Sequence, residues 1–293
     1  MRITDTMVSR NLLYNINNSR EAMNVYQNQQ ASGKRLNKVS DDPVDYTKIE
    51  SFKNAIVNND QYLEGINLAK GFLDVSITSL EQINEGVMTA KEIAIKASDL
   101  SQTQEDYDVF KDQIDDIIED NIALSNSTFM GNSVFSGTKT DIENAFMYNG
   151  TTITYSGNDK KINRKIAENY YVDINISGRE LLNTSMFQNL LDLKNALSSG
   201  ETVKINESID LLNTVSDNLT KLNSSLGSIK MQVENTENRI NTANLNLKSY
   251  LSNLEDADMA EAITQYKSEE TAYQSALYAT SNAINLNILS FLR

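Results

Sequence analysis

The run MAEAITQYKSEETAYQSALYATSNAINLNILSFL, residues 259–292, places Met259, Ile263, Tyr266, Tyr273, Leu277, Ile284 and Phe291 on one seam of alternating four- and three-residue steps. That is the spacing of a helix that packs lengthwise against another helix. Alanines at 260, 262, 272, 276, 279 and 283 thin its flanking faces, and Ile288 and Leu292 extend its apolar end. No partner lies next to it in sequence. The matching stripe is at the opposite end of the chain, where Ile3, Met7, Leu12, Ile16, Met23 and Tyr26 recur at helical spacing.

Between these ends the chain leaves as helix and returns as helix. Gly33 can take the left-handed conformation that stops the first helix, and Lys34 to Lys38 read as an extended basic connector. Asp42 then suits an N-cap, with Pro43 in the first helical position and Asp45 in the positive first turn. From Pro43 to about Leu100, apolar residues such as Ile49, Phe52, Ile56, Ile66, Leu73, Leu80, Ile83 and Val87 keep helical spacing. Unbroken, that helix would extend roughly 85 Å. A second helix is expected over about Glu105–Ser125.

The pattern changes at Thr128. Thr152 to Tyr155 and Tyr171 to Ile176 alternate, with Asn149-Gly150 and Ser156 to Asp159 as turn signals. Helix resumes at Ser185, pauses at Ser199-Gly200, and runs from about Thr202 to Asn253. The expected fold is mainly α with a small β-rich insertion, an elongated antiparallel helical bundle or coiled coil of both termini plus a small β domain. Five segments follow: a terminal helix and connector over residues 1–42, half of a helical rod over 43–127, the β-rich domain over 128–184, the other rod half over 185–255, and the C-terminal helix over 256–293. Only Pro43 supplies proline, and five of the 11 glycines fall between Gly131 and Gly178, which fits long helices with one irregular insertion.

A net charge of −14 argues against nucleic acid and anionic membrane as partners, because both would repel this surface. The chain has no Cys and no His, which removes thiol chemistry, the commonest general base and the usual zinc ligands. The acidic pairs Asp41-Asp42, Asp115-Asp116, Glu119-Asp120 and Glu269-Glu270 read as caps and solvated faces. Residues 131–139, GNSVFSGTK, lack the Gly-Lys-Ser/Thr order of a phosphate loop. No catalytic residue, cofactor or metal is expected, and the chain reads as a non-enzyme. The opening MRITDTMVSRNLLYNI has no signal-peptide core, and no apolar run is long enough to span a membrane. Taken alone this points to the cytoplasm, except for a protein exported by a route that reads an uncleaved N-terminus. Two terminal helices with apolar stripes and no local partner suit a subunit of a tubular polymer.

Several motifs then resemble one family. Met1-Arg2-Ile3-Thr4, SGKRLNKVSDDP over residues 32–43, and AYQSALYATSNAINLNILSFL over residues 272–292 are similar to the terminal motifs of flagellins. Pro43 after the Asp pair leans toward the hook-associated branch of that family. Phe135-Ser136-Gly137-Thr138, Tyr148-Asn149-Gly150 and Ile174 to Gly178 resemble that branch's entry to and exit from its β domain. The resemblance implies a flagellin-like structural subunit of the bacterial flagellum, placed between hook and filament and exported without cleavage by the flagellar type III route. Its implied partners are further copies of itself, the preceding hook-associated protein, flagellin and a cytoplasmic export chaperone. It also implies that the two terminal stripes form the assembly contacts and that Lys34, Arg35, Asp41, Asp42 and Pro43 form a connector. The alternatives are a minor short flagellin and a cytoplasmic coiled-coil scaffold.

Overall fold

The computed structural model describes the backbone of residues 5–99 and 101–291, and the side-chain surroundings of residues 7, 10–99 and 101–281. Helix α1 (Asp5–Ser32) stops at Gly33, whose φ of 71° is left-handed and whose N–H donates to Gln29 O at 2.8 Å. Helix α2 (Pro43–Ala97) starts under Asp42, whose Oδ1 accepts from the Val44 and Asp45 N–H groups, each at 3.0 Å. Helix α3 (Gln104–Ser125) opens with a Thr103/Asp106 capping box. Three antiparallel hairpins follow: β1 (Thr128–Phe129) with β2 (Asn132–Ser133), β3 (Phe146–Tyr148) with β4 (Ile153–Tyr155), and β5 (Asn163–Ala167) with β6 (Tyr170–Asp173). Short α4 (Gly178–Leu182) leads to α5 (Met186–Ser199), α6 (Thr202–Glu255) and α7 (Met259–Phe291).

The chain packs as two compact units. One comprises residues 1–58 and 242–293, the other residues 59–241. The larger unit holds most of the core. Along α6, Ile205, Leu212, Leu219, Leu226, Val233 and Ile240 recur every seven residues, and all are buried. Along α2, Ile66, Leu73, Leu80, Val87 and Ala94 do the same. A strict seven-residue repeat keeps one apolar seam turned toward the same neighbour over many turns. The two helices run antiparallel, aligned by Lys70–Glu237 at 2.7 Å and Lys230–Asp74 at 2.6 Å. Ile114 and Ile118 of α3, and Leu190, Leu193 and Leu197 of α5, complete the helical core.

The hairpins are held by side chains more than by sheet, since each sheet has only two strands. Lys194 Nζ lies 2.5 Å from Asp115 Oδ1 and 2.9 Å from the Tyr148 hydroxyl, which itself donates to Asp115 at 2.8 Å. This pins β3 to α3 and α5. Burial pushes the Asp115 carboxyl up, but the Lys194 ammonium and Tyr148 hydroxyl outweigh it and hold the group below its ordinary value.

Tyr155 joins two of the motifs singled out in the insertion, Phe135 to Thr138 and Ile174 to Gly178, to the Ser156–Asp159 turn, while Tyr148 to Gly150 is tied to Asp115 and Lys194. The Tyr155 hydroxyl lies 3.1 Å from Phe135 O and 3.0 Å from Asn158 O, and it accepts from the Gly178 N–H at 3.2 Å. Its ring stacks 4.9 Å from Phe146, which packs 5.6 Å from Phe187. Gly178 sits in the middle of this cluster. A Cβ there would lie 2.3 Å from the Tyr155 ring, 2.7 Å from the Phe135 carbonyl oxygen and 2.7 Å from Phe146. The segment Ile174 to Ile176, read as strand from its alternation, lies outside β6, with all three residues buried. Neighbours on both sides leave it no solvent face.

The β1–β2 hairpin turns through Met130 and Gly131, with φ of 51° and 80°. Two successive positive φ values match the twist of a tight hairpin. A non-glycine residue in that region costs about 1–2 kcal/mol, and Met130 is left 74% exposed.

Gly178→Ala is expected to lower the stability of the larger unit by about 2–4 kcal/mol, because a methyl meets backbone and two rings. Gly227→Ala, where a Cβ meets nothing within 4 Å, is expected to raise stability by up to about 1 kcal/mol. Urea unfolding of the two variants checks both signs.

Candidate assembly site and its connector

The termini pair as the apolar stripes require. Helices α1 and α7 pack together, and Gln30 Nε2 donates to Ala262 O at 3.1 Å. The end of α1 therefore meets the start of α7, so the pair is antiparallel. On α1, Leu12, Ile16, Met23 and Tyr26 all lie on the half-buried side. Met7 is 61% exposed, and Leu13, Tyr14 and Val25 also face outward.

On α7 the seam divides. Ala262, Tyr266, Glu269, Tyr273, Ala276 and Thr280 form the covered face, whereas Met259, Ile263 and Leu277 are 40%, 50% and 44% exposed. A helix of 3.6 residues per turn drifts off a strict seven-residue line, and alanines allow closer approach than the larger residues beside them. The backbone of α7 extends through Ile284 and Ile288 to Phe291, but the side chains of all three lie outside the described residues, as do Ile3 and Leu292. Among the described side chains, none in α1 is fully buried and only Ala262 is in α7. Two long helices thus carry apolar residues on faces that this chain alone leaves open.

The connector is built where these helices meet α2 and α6. Residues 33–35 and 255–257 cross as a two-bond antiparallel bridge: the Arg35 N–H donates to Glu255 O at 2.7 Å, and the Ala257 N–H to Gly33 O at 2.9 Å. Glu255 is the hub. Its side chain is 8% exposed and its Oε1 accepts from Lys34 Nζ at 2.6 Å and Lys53 Nζ at 2.9 Å. Burial raises the Glu255 carboxyl, the two ammonium groups lower it more, and the balance leaves it below its ordinary value. The same hydrogen bond raises Lys53.

Arg35 donates to Leu254 O at 3.0 Å and reaches Asp45 at 3.4 Å. Asp41 Oδ2 accepts from the Asn37 and Lys38 N–H groups at 3.0 and 2.9 Å, closing the loop before Pro43. Leu36 in this loop and Ile49 in the second turn of α2 are buried. Lys34, Arg35, Asp41, Asp42 and Pro43 are therefore brought into one region, and each holds backbone or an opposite charge except Pro43, which starts α2. Sequence reasoning missed Glu255 and Lys53. Their only signal was one acid at a helix end, more than 200 residues from its lysine partner.

Among the described residues, no group of three acids could hold a metal ion, and no helix is long and apolar enough to cross a membrane.

Glu255→Gln is expected to cost about 1–3 kcal/mol, less than a fully buried pair because both lysines reach water. A depressed carboxylate contributes its stability above the ordinary value near 4.5 and loses it as pH falls through the lowered one. The variant should therefore show a flatter loss of stability below about pH 5 than the parent, by denaturant unfolding across pH. Amide exchange on the monomer is expected to leave residues 10–32 and 263–281 far less protected than residues 66–94. Equal protection would contradict the open faces.

Comparison with known proteins fits this geometry. Residues 3–140 match the bacterial flagellin N-terminal helical region, and residues 209–292 the C-terminal helical region. The flagellin of Bacillus subtilis is 23% identical over the full length of both chains. Flagellar hook-associated protein 3 of Salmonella typhimurium is 24% identical over 63% of this chain and 57% of its own. Among solved structures, FlgL of Bacillus cereus superposes with a TM-score of 0.61 at 18% identity, over 69% of this chain and 99% of that one. The flagellar junction protein FlgL of Legionella pneumophila gives 0.57 at 13%, over 72% and 100%. With both terminal regions matched in order around a shared helical scaffold, the chain belongs to the flagellin family.

Proposed function

We propose that this protein is a structural axial subunit of the bacterial flagellum that forms the hook-filament junction and couples hook to flagellin filament by helix packing, without catalysis. The observation that carries the reading is the antiparallel α1–α7 pair, whose outward apolar residues Met7, Leu13, Tyr14, Ile263 and Leu277 have no cover in one copy. Stacking copies around a common axis buries such faces, and apolar burial is the main favourable term in association. The likeness to solved junction proteins over nearly their whole length supports a junction subunit. Its partners would be further copies of itself, the preceding hook-associated protein and flagellin. A cytoplasmic chaperone would cover the C-terminal helix before export through the type III route to the cell exterior. The assembly contacts would run along Ile3, Met7, Leu12, Ile16, Met23 and Tyr26 and along Met259 to Leu292.

The full-length match to a flagellin favours a second reading, a minor short flagellin. Deletion separates the two: hooks left bare while flagellin escapes to the medium fit the junction, and normal filaments exclude it. Leu277→Asp is expected to leave the monomer's helicity unchanged, since the side chain is already near water, yet to abolish incorporation into flagella. Unchanged motility would count against the assembly role.

A further inference from the structure

The net charge of one helix is half that of the whole chain. Helix α3 carries eight carboxylates and one lysine, a net −7 within the −14 of the whole. Asp106 is engaged in the capping box and Asp115 with Lys194. Glu105, Asp108, Asp112, Asp116, Glu119 and Asp120 are exposed, Asp112 with Lys111 beside it at 3.1 Å. Val109, 56% exposed, stands among them with Glu105 and Asp112 within one turn on either side.

The larger unit also holds the opposite kind of surface. A groove of about 590 Å³ opens between α2, the β1–β2 hairpin and β5. Its apolar wall is Leu68, Phe72, Phe129, Met130 and Ile162, with Phe72 and Phe129 edge to face at 6.4 Å. Lys161 and Arg164 line its rim, and among the described residues no carboxylate does. Four of the six residues from Lys160 to Lys165 are basic. Lys161 is paired with Glu180 and Lys165 lies over the Tyr62 ring, but Lys160 and Arg164 form no ion pair among the described residues. The segment is rigidly held, because buried Asn175 accepts from the Ile162 N–H at 2.6 Å and donates to Lys160 O at 3.3 Å. Met130, the strained and exposed tip of the β1–β2 turn, stands at the groove's edge. An apolar side chain held in the open at a groove's edge offers a partner a hydrophobic contact.

The two surfaces cannot meet within one copy. Asp116 lines the same cleft as Ile93 of α2, whereas the groove is lined by Leu68 and Phe72 of that helix. The 25 residues from Leu68 to Ile93 amount to roughly 37 Å of helix.

We infer that this basic-rimmed groove receives the acidic face of α3 from a second copy of the chain, with Val109 seated against Met130 and Phe129. The contact is head-to-tail, so it repeats from copy to copy, as a ring or as a helix according to the rotation between neighbours. It rests on the proposal that copies polymerise.

The Cys-free chain allows a direct test. Full-length protein carrying Met130→Cys and Val109→Cys is expressed in flagellated cells, and purified flagella are oxidised. A disulfide between position 130 of one copy and position 109 of the next supports the contact. Subunits that enter flagella but form no bond, or only bonds between identical positions, overturn it and leave the junction role standing. If the Cys-free chain itself is absent from flagella, the junction role fails instead. The purified chain is then oxidised at high concentration, where the 130-to-109 bond supports the contact and its absence overturns it. In parallel, Arg164→Glu should lower the yield of that bond at least about tenfold, and adding Asp112→Lys to the same chain should restore it. No restoration, with helicity intact, removes the charge pairing.

Discussion

Two backbone hydrogen bonds, from Arg35 to Glu255 and from Ala257 to Gly33, hold together the point where α1 turns into α2 and α6 turns into α7. A two-bond bridge is too short to be stable alone. It is supported by the Glu255 side chain, which takes two ammonium partners at the same point. A buried carboxylate without those lysines would be an uncompensated charge, and the chain ends would lose their common anchor. This crossing sets the end of α1 beside the start of α7, where Gln30 meets Ala262.

That division of labour sets where the protein is firm and where it is unfinished. In the larger unit, seven-residue repeats on α2 and α6 bury nearly every seam position, and the hairpins are fastened by Tyr148, Lys194 and Tyr155. In the terminal pair the covered faces are only half-buried and large apolar residues remain outside. Local opening is easiest where few apolar contacts would be lost. Apolar faces left open in one copy are what association can bury, whereas faces already covered would gain nothing from it.

Much of the fold was legible in the residues. Gly33 and Asp42 announced a helix stop and a helix start, and both act as read. The turn at Asn149-Gly150 and the strand at Ile153 to Tyr155 were also visible, because turn chemistry and alternation are local signals. The strands β1, β2, β3 and β5 were not, being two to five residues long and held by distant side chains. Ile174 to Ile176 misled because alternation implies one wet face, and here both are covered. Two glycines in the middle of α2 carried no local signal, yet Gly71 makes room for Phe129 and Gly86 for Asn121.

The amino-acid order alone determined the helical class, the irregular insertion, the absence of thiol and imidazole chemistry, and the apolar stripes at both ends. These follow from periodicity and composition, which act over a few neighbouring residues. Only the tertiary structure decided which side of α7 turns toward α1, that Glu255 is the hub for Lys34 and Lys53, and that Phe135 and Gly178 meet at Tyr155. Each depends on groups far apart in the chain arriving within hydrogen-bonding distance, and one-dimensional spacing carries no information about that approach.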